Sequence, residues 1–236
     1  MIEEVDPDVA WVARLSGASE PAVERALAEA QGETRLFRHL ASRHRAGGRQ
    51  FYVEIEAPLE LYALTRLLQP RHIVEVGVSS GVSSAYFLQA LSRNGRGTLH
   101  SVDLPRTVQP KRRGTTGQGP SSGSWALPPG ESSGWAVPFP LRSRWDLRLG
   151  DKADVLPLLG EELDTVDLFL YDVPHSDPAA FREFRSLDRR MTAGAVALVD
   201  HGGTTSQCPS LARWAKTRRA SGSGRTGLGL FAFRFP

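Results

Sequence analysis

The sequence predicts an α/β fold, a doubly wound and mostly parallel sheet preceded by an N-terminal helical extension. Three observations lead there. From residue 71 onward, short apolar runs rich in β-branched residues alternate with stretches of helical period, the pattern of βαβ units. The first run passes into the next helix through a turn of small residues, Gly77-Val78-Ser79-Ser80-Gly81. An acid, Asp103, closes the run that follows.

Residues 1–57 form the extension. Asp6-Pro7 predicts a capped helix start, Gly17 a stop, Ser19 with Pro21 a second start, and Leu36, Phe37 and Leu40 an apolar stripe. Gly47-Gly48 ends this helical preface, and 51–56 alternates weakly. Residues 58–236 form the main domain. It opens with a helix over 58–68, where Leu61, Leu64, Leu67 and Leu68 share one side. Strands are predicted at 72–76, 98–102, 145–149, 166–171 and 195–199, with helices at 82–92, 152–159, 178–190 and 210–219. The closing run 228–235 reads as a final antiparallel strand at or near an edge. Residues 105–141 are rich in Gly, Ser and Pro, with Trp125 and Trp135 isolated in them. A stretch this long without periodicity is a functional cover or an insertion. It leaves the C-terminal end of the second strand, the edge where open α/β sheets bind ligands, and so is expected to be a flexible lid.

The turn Glu75-Val76-Gly77-Val78-Ser79-Ser80-Gly81 lets a ligand come close to backbone, and the helix that starts near Gly81 offers free N–H groups. Asp103, one βαβ unit downstream, is placed to accept both hydroxyls of a ribose. Together they point to an adenosine-containing ligand. Dinucleotide folds favour G-x-G-x-x-G, with a pyrophosphate on the helix start. Here the spacing is E-x-G-x-x-x-G, Ser79 falls where the second glycine would be, and Glu75 suits a cationic group better than a pyrophosphate.

Glu75-Val-Gly77-Val-Ser-Ser-Gly81 with Asp103 resembles the first motif and post-strand acid of class I S-adenosylmethionine-dependent methyltransferases, over about residues 58–200. That resemblance implies a Rossmann-like methyltransferase fold with S-adenosylmethionine as cofactor. It implies that Glu75 and the turn Gly77, Ser79, Ser80 and Gly81 meet the amino-acid part, helped by Ser83 and Ser84, and that Asp103 holds the ribose. Gly150-Asp151 resembles the position beside the adenine.

The fourth predicted strand ends Tyr171-Asp172-Val173-Pro174-His175 and the fifth Val199-Asp200-His201-Gly202. Two carboxylates and two imidazoles on one rim suit a divalent cation with a nearby base. The arrangement is similar to cation-dependent small-molecule O-methyltransferases of the catechol and macrocin types. The resemblance implies Asp172, Asp200 and His201 as ligands of Mg²⁺ or Mn²⁺, Asp172 also beside the cofactor, and His175 with Asp172 as the catalytic pair. His201 departs from that pattern, where asparagine or an acid is usual, and imidazole favours softer metals than Mg²⁺. Asp172 and Asp200 also suit helix caps, and His201 a turn.

Composition bounds the partners. The chain has 236 residues, 40% of them hydrophobic, one cysteine (Cys208), and a formal net charge of +3. No run approaches the roughly 20 apolar residues of a membrane span, and a lone cysteine forms no internal disulfide. A soluble, cytoplasmic enzyme is expected, acting on a small molecule. Its basic residues Lys111, Arg112, Arg113, Arg213, Lys216, Arg218 and Arg219 lack the interleaved aromatics of a nucleic-acid platform. The preface and the 105–141 segment are expected to shape a substrate pocket or a homodimer contact, with Tyr52, Trp125, Trp135 and Phe139 as candidate pocket walls. Other readings stay open: a metal-independent N-methyltransferase, since Asp172-Val173-Pro174-His175 faintly resembles the D-P-P-Y motif of base-modifying enzymes; an NAD-binding oxidoreductase; or a non-catalytic cofactor-binding module.

Overall fold

The computed structural model describes residues 6–47, 57–104, 127–128, 130–173, 177–199, 209–224 and 230–236. Four helices come first, α1 (Val9–Ser16), α2 (Glu20–Gln31), α3 (Thr34–Gly47) and α4 (Pro58–Leu68). The cap of α1 is Asp8 rather than the expected Asp6, its carboxylate accepting from the Trp11 N–H at 2.8 Å. Gly17 ends that helix in the left-handed conformation, as expected of a glycine there.

The strands are β1 (His72–Val76), β2 (Thr98–Asp103), β3 (Trp145–Leu149), β4 (Val166–Tyr171), β5 (Met191–Val199), β6 (Ser221–Gly224) and β7 (Phe231–Arg234). Between them lie α5 (Val82–Asn94), α6 (Lys152–Glu162), α7 (Asp177–Ser186) and α8 (Pro209–Thr217), with a 3-10 turn at Phe139–Arg144. Among the described residues these form one seven-stranded sheet in the order β3-β2-β1-β4-β5-β7-β6. β1 to β5 run parallel, and β7 lies antiparallel between β5 and β6. The strand order reverses beside β1, which places the crevice for a ligand at the C-terminal ends of β1, β2 and β4.

Each face of the sheet is covered, so the central strands read as continuous apolar runs. On one face Ile73, Leu99, Leu168, Leu170, Val196 and Leu198 pack with α4 and α5 and also with Trp11, Leu15, Val23, Leu27, Leu36 and Leu40 of the preface. The preface is thus built into the same core as the sheet. On the other face Val74, Val76, Phe169, Tyr171, Ala197 and Val199 pack with Leu156, Phe184 and Trp214 from α6 to α8. Trp214 stacks on Phe184 at 5.3 Å and donates its indole N–H to Asp188 at 3.0 Å, so its polar edge is satisfied despite full burial.

Two differences from expectation have plain causes. Helix α7 stops at Ser186, and Leu187 to Arg190 form turns that feed β5, which starts at Met191, four residues before the predicted 195. The edge strand β6 reads Ser-Gly-Ser-Gly and carries no apolar alternation, so only pairing with β7 makes it a strand. At the same edge α1 closes over the sheet: the Trp11 indole donates to the Ser223 carbonyl at 3.2 Å.

Candidate active site

Backbone hydrogen bonds carry the ladder one residue past the strand ends and so assemble the rim. Gly77 N–H donates to Val102, Asp172 N–H to Val76, and Gly150 N–H to the Asp103 carbonyl, each at 2.9 Å. Gly77, Asp103, Gly150 and Asp172 therefore stand side by side at the ends of β1 to β4. Gly77 has φ +94°, and a β-carbon there would lie 2.0 Å from the Asp172 carbonyl oxygen. Only glycine fits that spot. Gly81, at φ +87°, caps the start of α5, and a β-carbon there would lie 2.6 Å from the Val137 side chain and 2.8 Å from the Gly134 backbone. Between them Ser79 takes φ +48°, the left-handed conformation that a glycine would adopt at lower cost.

Several of the predicted residues are held by other groups of the protein. Glu75 is fully buried. Its Oε1 accepts from the Ser83 hydroxyl at 2.5 Å, and its Oε2 accepts from Ser84 and Ser101, both at 2.6 Å. The carboxyl thus faces three hydroxyls rather than an open crevice. It ties the start of α5 to β1 and β2. Burial pushes its pKa up, and the three hydroxyl donors only partly offset that. Ser83 and Ser84 are turned inward by the same contacts. Asp151 caps α6, accepting from the Ala153 N–H at 2.9 Å, and is exposed.

Asp103 sits at the rim as expected. Its Oδ1 accepts from the Val78 N–H at 3.2 Å, and its Oδ2 accepts from the Ser133 hydroxyl. Ser133 belongs to residues 130–137, which lie directly on the glycine turn: Gly134 N–H donates to the Ser79 carbonyl at 2.8 Å and Ala136 N–H to Ser80 at 2.9 Å. The described part of the expected lid is therefore packed against the site. Trp135, named as a pocket wall, is buried in the core, while Phe139 is 83% exposed. Asp172 is half-buried on the rim next to Gly77. His175, Asp200, His201, Tyr52 and Trp125 lie outside the described residues. Among the described residues no group of three His, Cys, Asp or Glu side chains is placed to hold a metal ion, and no helix is long and apolar enough to cross a membrane.

Ser101, Ser133 and Trp145 were not anticipated. Ser101 carried a usable signal, because it is polar in a buried strand and pairs in register with Glu75. Trp145 donates its indole N–H to that same Ser101 at 2.8 Å, and its ring fills the space beside Gly134. Ser133 sits among other serines and glycines and carried no signal.

A doubly wound sheet of this order, with a close-approach turn after β1 and a rim acid after β2, is the architecture of nucleotide-type cofactor-binding folds. The chain belongs to the methyltransferase domain family, whose model matches residues 74–201. No match was found among curated proteins. Solved structures share the fold. The O-methyltransferase TomG from Streptomyces achromogenes, involved in tomaymycin synthesis and solved with SAM, aligns with TM-score 0.55 and 19% identity over 85% of this chain and 88% of its own. The SAH-bound methyltransferase PaMTH1 of Podospora anserina aligns with TM-score 0.55 and 13% identity over 93% and 97% of the two chains. An O-methyltransferase from Bacillus cereus in complex with SAH aligns with TM-score 0.51 and 14% identity over 95% and 96%.

Proposed function

We propose that this protein transfers a methyl group from S-adenosylmethionine to a hydroxyl oxygen of a small molecule. The observation that carries the reading is the rim itself: Gly77 with no room for a side chain, Asp103 at the end of β2 and Asp172 at the end of β4, all within one crevice. The donor chemistry named for TomG and for the Bacillus cereus enzyme, which share this fold, supports the choice of cofactor and of oxygen as acceptor.

The residues present fit such a cofactor. The left-handed backbone at Gly77, Ser79 and Gly81 turns the chain sharply from β1 into α5 beside Asp103, whose carboxylate would take the ribose, each of its oxygens keeping acceptor capacity beyond the bond already made. When bound, the cofactor supplies an electrophilic methyl group on a sulfonium. The protein's part is to hold donor and acceptor in line and to take the acceptor's proton. In this reading His175 takes that proton, since imidazole titrates near neutral pH, and Asp172 orients the acceptor beside it. Asp172, Asp200 and His201 would hold a divalent cation, Mg²⁺ or Mn²⁺, which makes a bound hydroxyl easier to deprotonate. The single cysteine and apolar-run lengths suit a cytoplasmic enzyme, and light scattering tests whether the preface or the 105–141 segment makes a homodimer contact or only shapes the substrate pocket.

The test is release of S-adenosylhomocysteine, followed by mass spectrometry, when the protein meets S-adenosylmethionine and a panel of phenols and glycosides. A methylated hydroxyl product is expected, with activity lost on chelation by EDTA, restored by Mg²⁺ or Mn²⁺, and reduced at least a hundredfold, on the order of general-base catalysis, in His175→Ala. No stabilisation by S-adenosylmethionine or S-adenosylhomocysteine in a thermal-shift titration would end the reading. Activity unchanged in EDTA would remove the metal from it.

A further inference from the structure

Residues 130–137 form a strap held between two parts of the molecule. On its inner side it bonds to the glycine turn through the Gly134 and Ala136 N–H groups and to Asp103 through the Ser133 hydroxyl. On its outer side lies α3 of the preface. Arg43 donates to the Trp135 carbonyl at 2.9 Å and to the Glu131 carboxylate at 2.8 Å, and its guanidinium stands 5.1 Å from the Trp135 ring centre. The His39 imidazole is 3.1 Å from the Ala136 carbonyl. Ser133 is 2% exposed, so its hydroxyl has been removed from water and donates to the carboxylate instead.

We propose that Ser133 is a positioning residue for cofactor binding, acting through Asp103, and that Arg43 of α3 holds the strap that delivers it. This inference rests on the cofactor reading given above. Asp103 has two carboxylate oxygens and about four lone-pair positions. Val78 N–H occupies one on Oδ1 and Ser133 one on Oδ2, so the plane of the carboxylate is fixed while one position on each oxygen stays available for a vicinal diol. A carboxylate held from two sides loses little rotational freedom when the ribose arrives, and pre-ordering of this kind raises affinity. Ser133 itself needs no contact with the cofactor. The preface thereby takes part in the site through the strap: α3 fixes the strap, the strap fixes Ser133, and Ser133 fixes Asp103.

Isothermal titration of the full chain with S-adenosylhomocysteine tests this, using the wild type, Ser133→Ala, Ser133→Thr and Arg43→Ala. Far-UV circular dichroism and Tm establish that each variant is folded. Ser133→Ala is expected to weaken binding about fivefold, the effect of one hydrogen bond. Ser133→Thr, which keeps the hydroxyl, restores it. Arg43→Ala leaves Ser133 in the sequence and weakens binding in the same direction. With the 2′-deoxy analogue of the ligand, the Ser133→Ala penalty shrinks, which a general loss of packing would not produce. Unchanged affinity in Ser133→Ala overturns the proposal. So does tighter binding, which would make Ser133 a competitor for the ribose position. A wild type that fails to bind S-adenosylhomocysteine overturns the cofactor reading instead, so the two failures are told apart. Should Ser133→Ala not fold, Arg43→Ala and Ser133→Thr decide: wild-type affinity in Arg43→Ala, or lost affinity in a folded Ser133→Thr, counts against it.

Discussion

Gly77 and Asp172 touch backbone to backbone, with 2.0 Å between the place of a β-carbon on the first and the carbonyl oxygen of the second. The ends of β1 and β4 are thus locked at the point where the crevice opens. Gly77→Ala must both strain a backbone at φ +94° and push β4 aside. The expected cost is about 3 kcal/mol, which lowers Tm by roughly 6–12 °C for a domain of this size. Scanning calorimetry checks it, and S-adenosylhomocysteine affinity should fall in the same variant.

The opposite result is expected next door. Ser79 holds φ +48°, where an L-residue is strained. Ser79→Gly removes that strain, and the added freedom of the unfolded chain takes back part of the gain, leaving a net stabilisation of about 0.5 kcal/mol. A Tm lower than that of the wild type would contradict this account of the turn.

Glu75 allows a test of what its carboxyl does. Glu75→Gln keeps the shape, and the surrounding hydroxyls can rotate to accept from the new amide, so little stability is lost at pH 5. Glu75→Leu leaves three buried hydroxyls without their acceptor and should cost several kcal/mol, at about 1–3 kcal/mol for each unsatisfied group. Because burial raises the folded carboxyl pKa above its ordinary 4.5, its contribution is complete below 4.5 and is lost as pH rises through the raised value. Glu75→Gln should therefore gain on the wild type between pH 5 and pH 8 in urea unfolding. A gap that narrows over this range would mean that the ionised form is the one the fold prefers.

A second titration lies at the other end of the strands. The His72 Nδ1 is 3.1 Å from the His100 Nε2, and His100 Nδ1 is 3.0 Å from Asp146, while Asp164 lies 3.2 Å from the His72 Nε2. Burial lowers the His72 pKa, and the neighbouring His100 and Arg71 act in the same direction against Asp164 and Asp167. The neutral imidazole is thus favoured by folding, a contribution present above pH 6.5 and lost as pH falls toward the depressed value. The wild type should lose stability as pH drops from about 6.5, and His72→Gln should flatten that slope. Equal slopes in urea midpoints measured from pH 5 to pH 8 would refute it.

Much of this architecture was readable because it rests on strong local signals. The runs Ile73-Val74 and Leu168-Phe169-Leu170 are buried on both faces, and central parallel strands must be apolar throughout. Gly77 and Gly81 were legible because their backbone demands exclude other residues. β6 was not, since Gly222 owes its place to the rings of Phe231 and Phe233, which stand 3.0 and 3.1 Å from where its β-carbon would be. The hydroxyl partners of Glu75 are hidden from the sequence for a similar reason. Its three hydroxyl partners come from α5 and β2, and which side the carboxyl faces is decided by tertiary packing. Ser133 could not have been singled out from its serine- and glycine-rich surroundings, because its importance comes from where the chain returns in space.

The contact of Trp11 and Ser223 carries a consequence for handling the protein. β6 is an outermost strand, and an uncovered strand of this kind offers its free amides and carbonyls to neighbouring molecules. The indole takes one of those carbonyls, and Arg14 reaches the Ser223 hydroxyl at 3.5 Å, adding a positive charge that discourages stacking. A version trimmed of its first helix would leave this margin bare and should self-associate into β-rich aggregates on concentration, even where its catalytic crevice is intact.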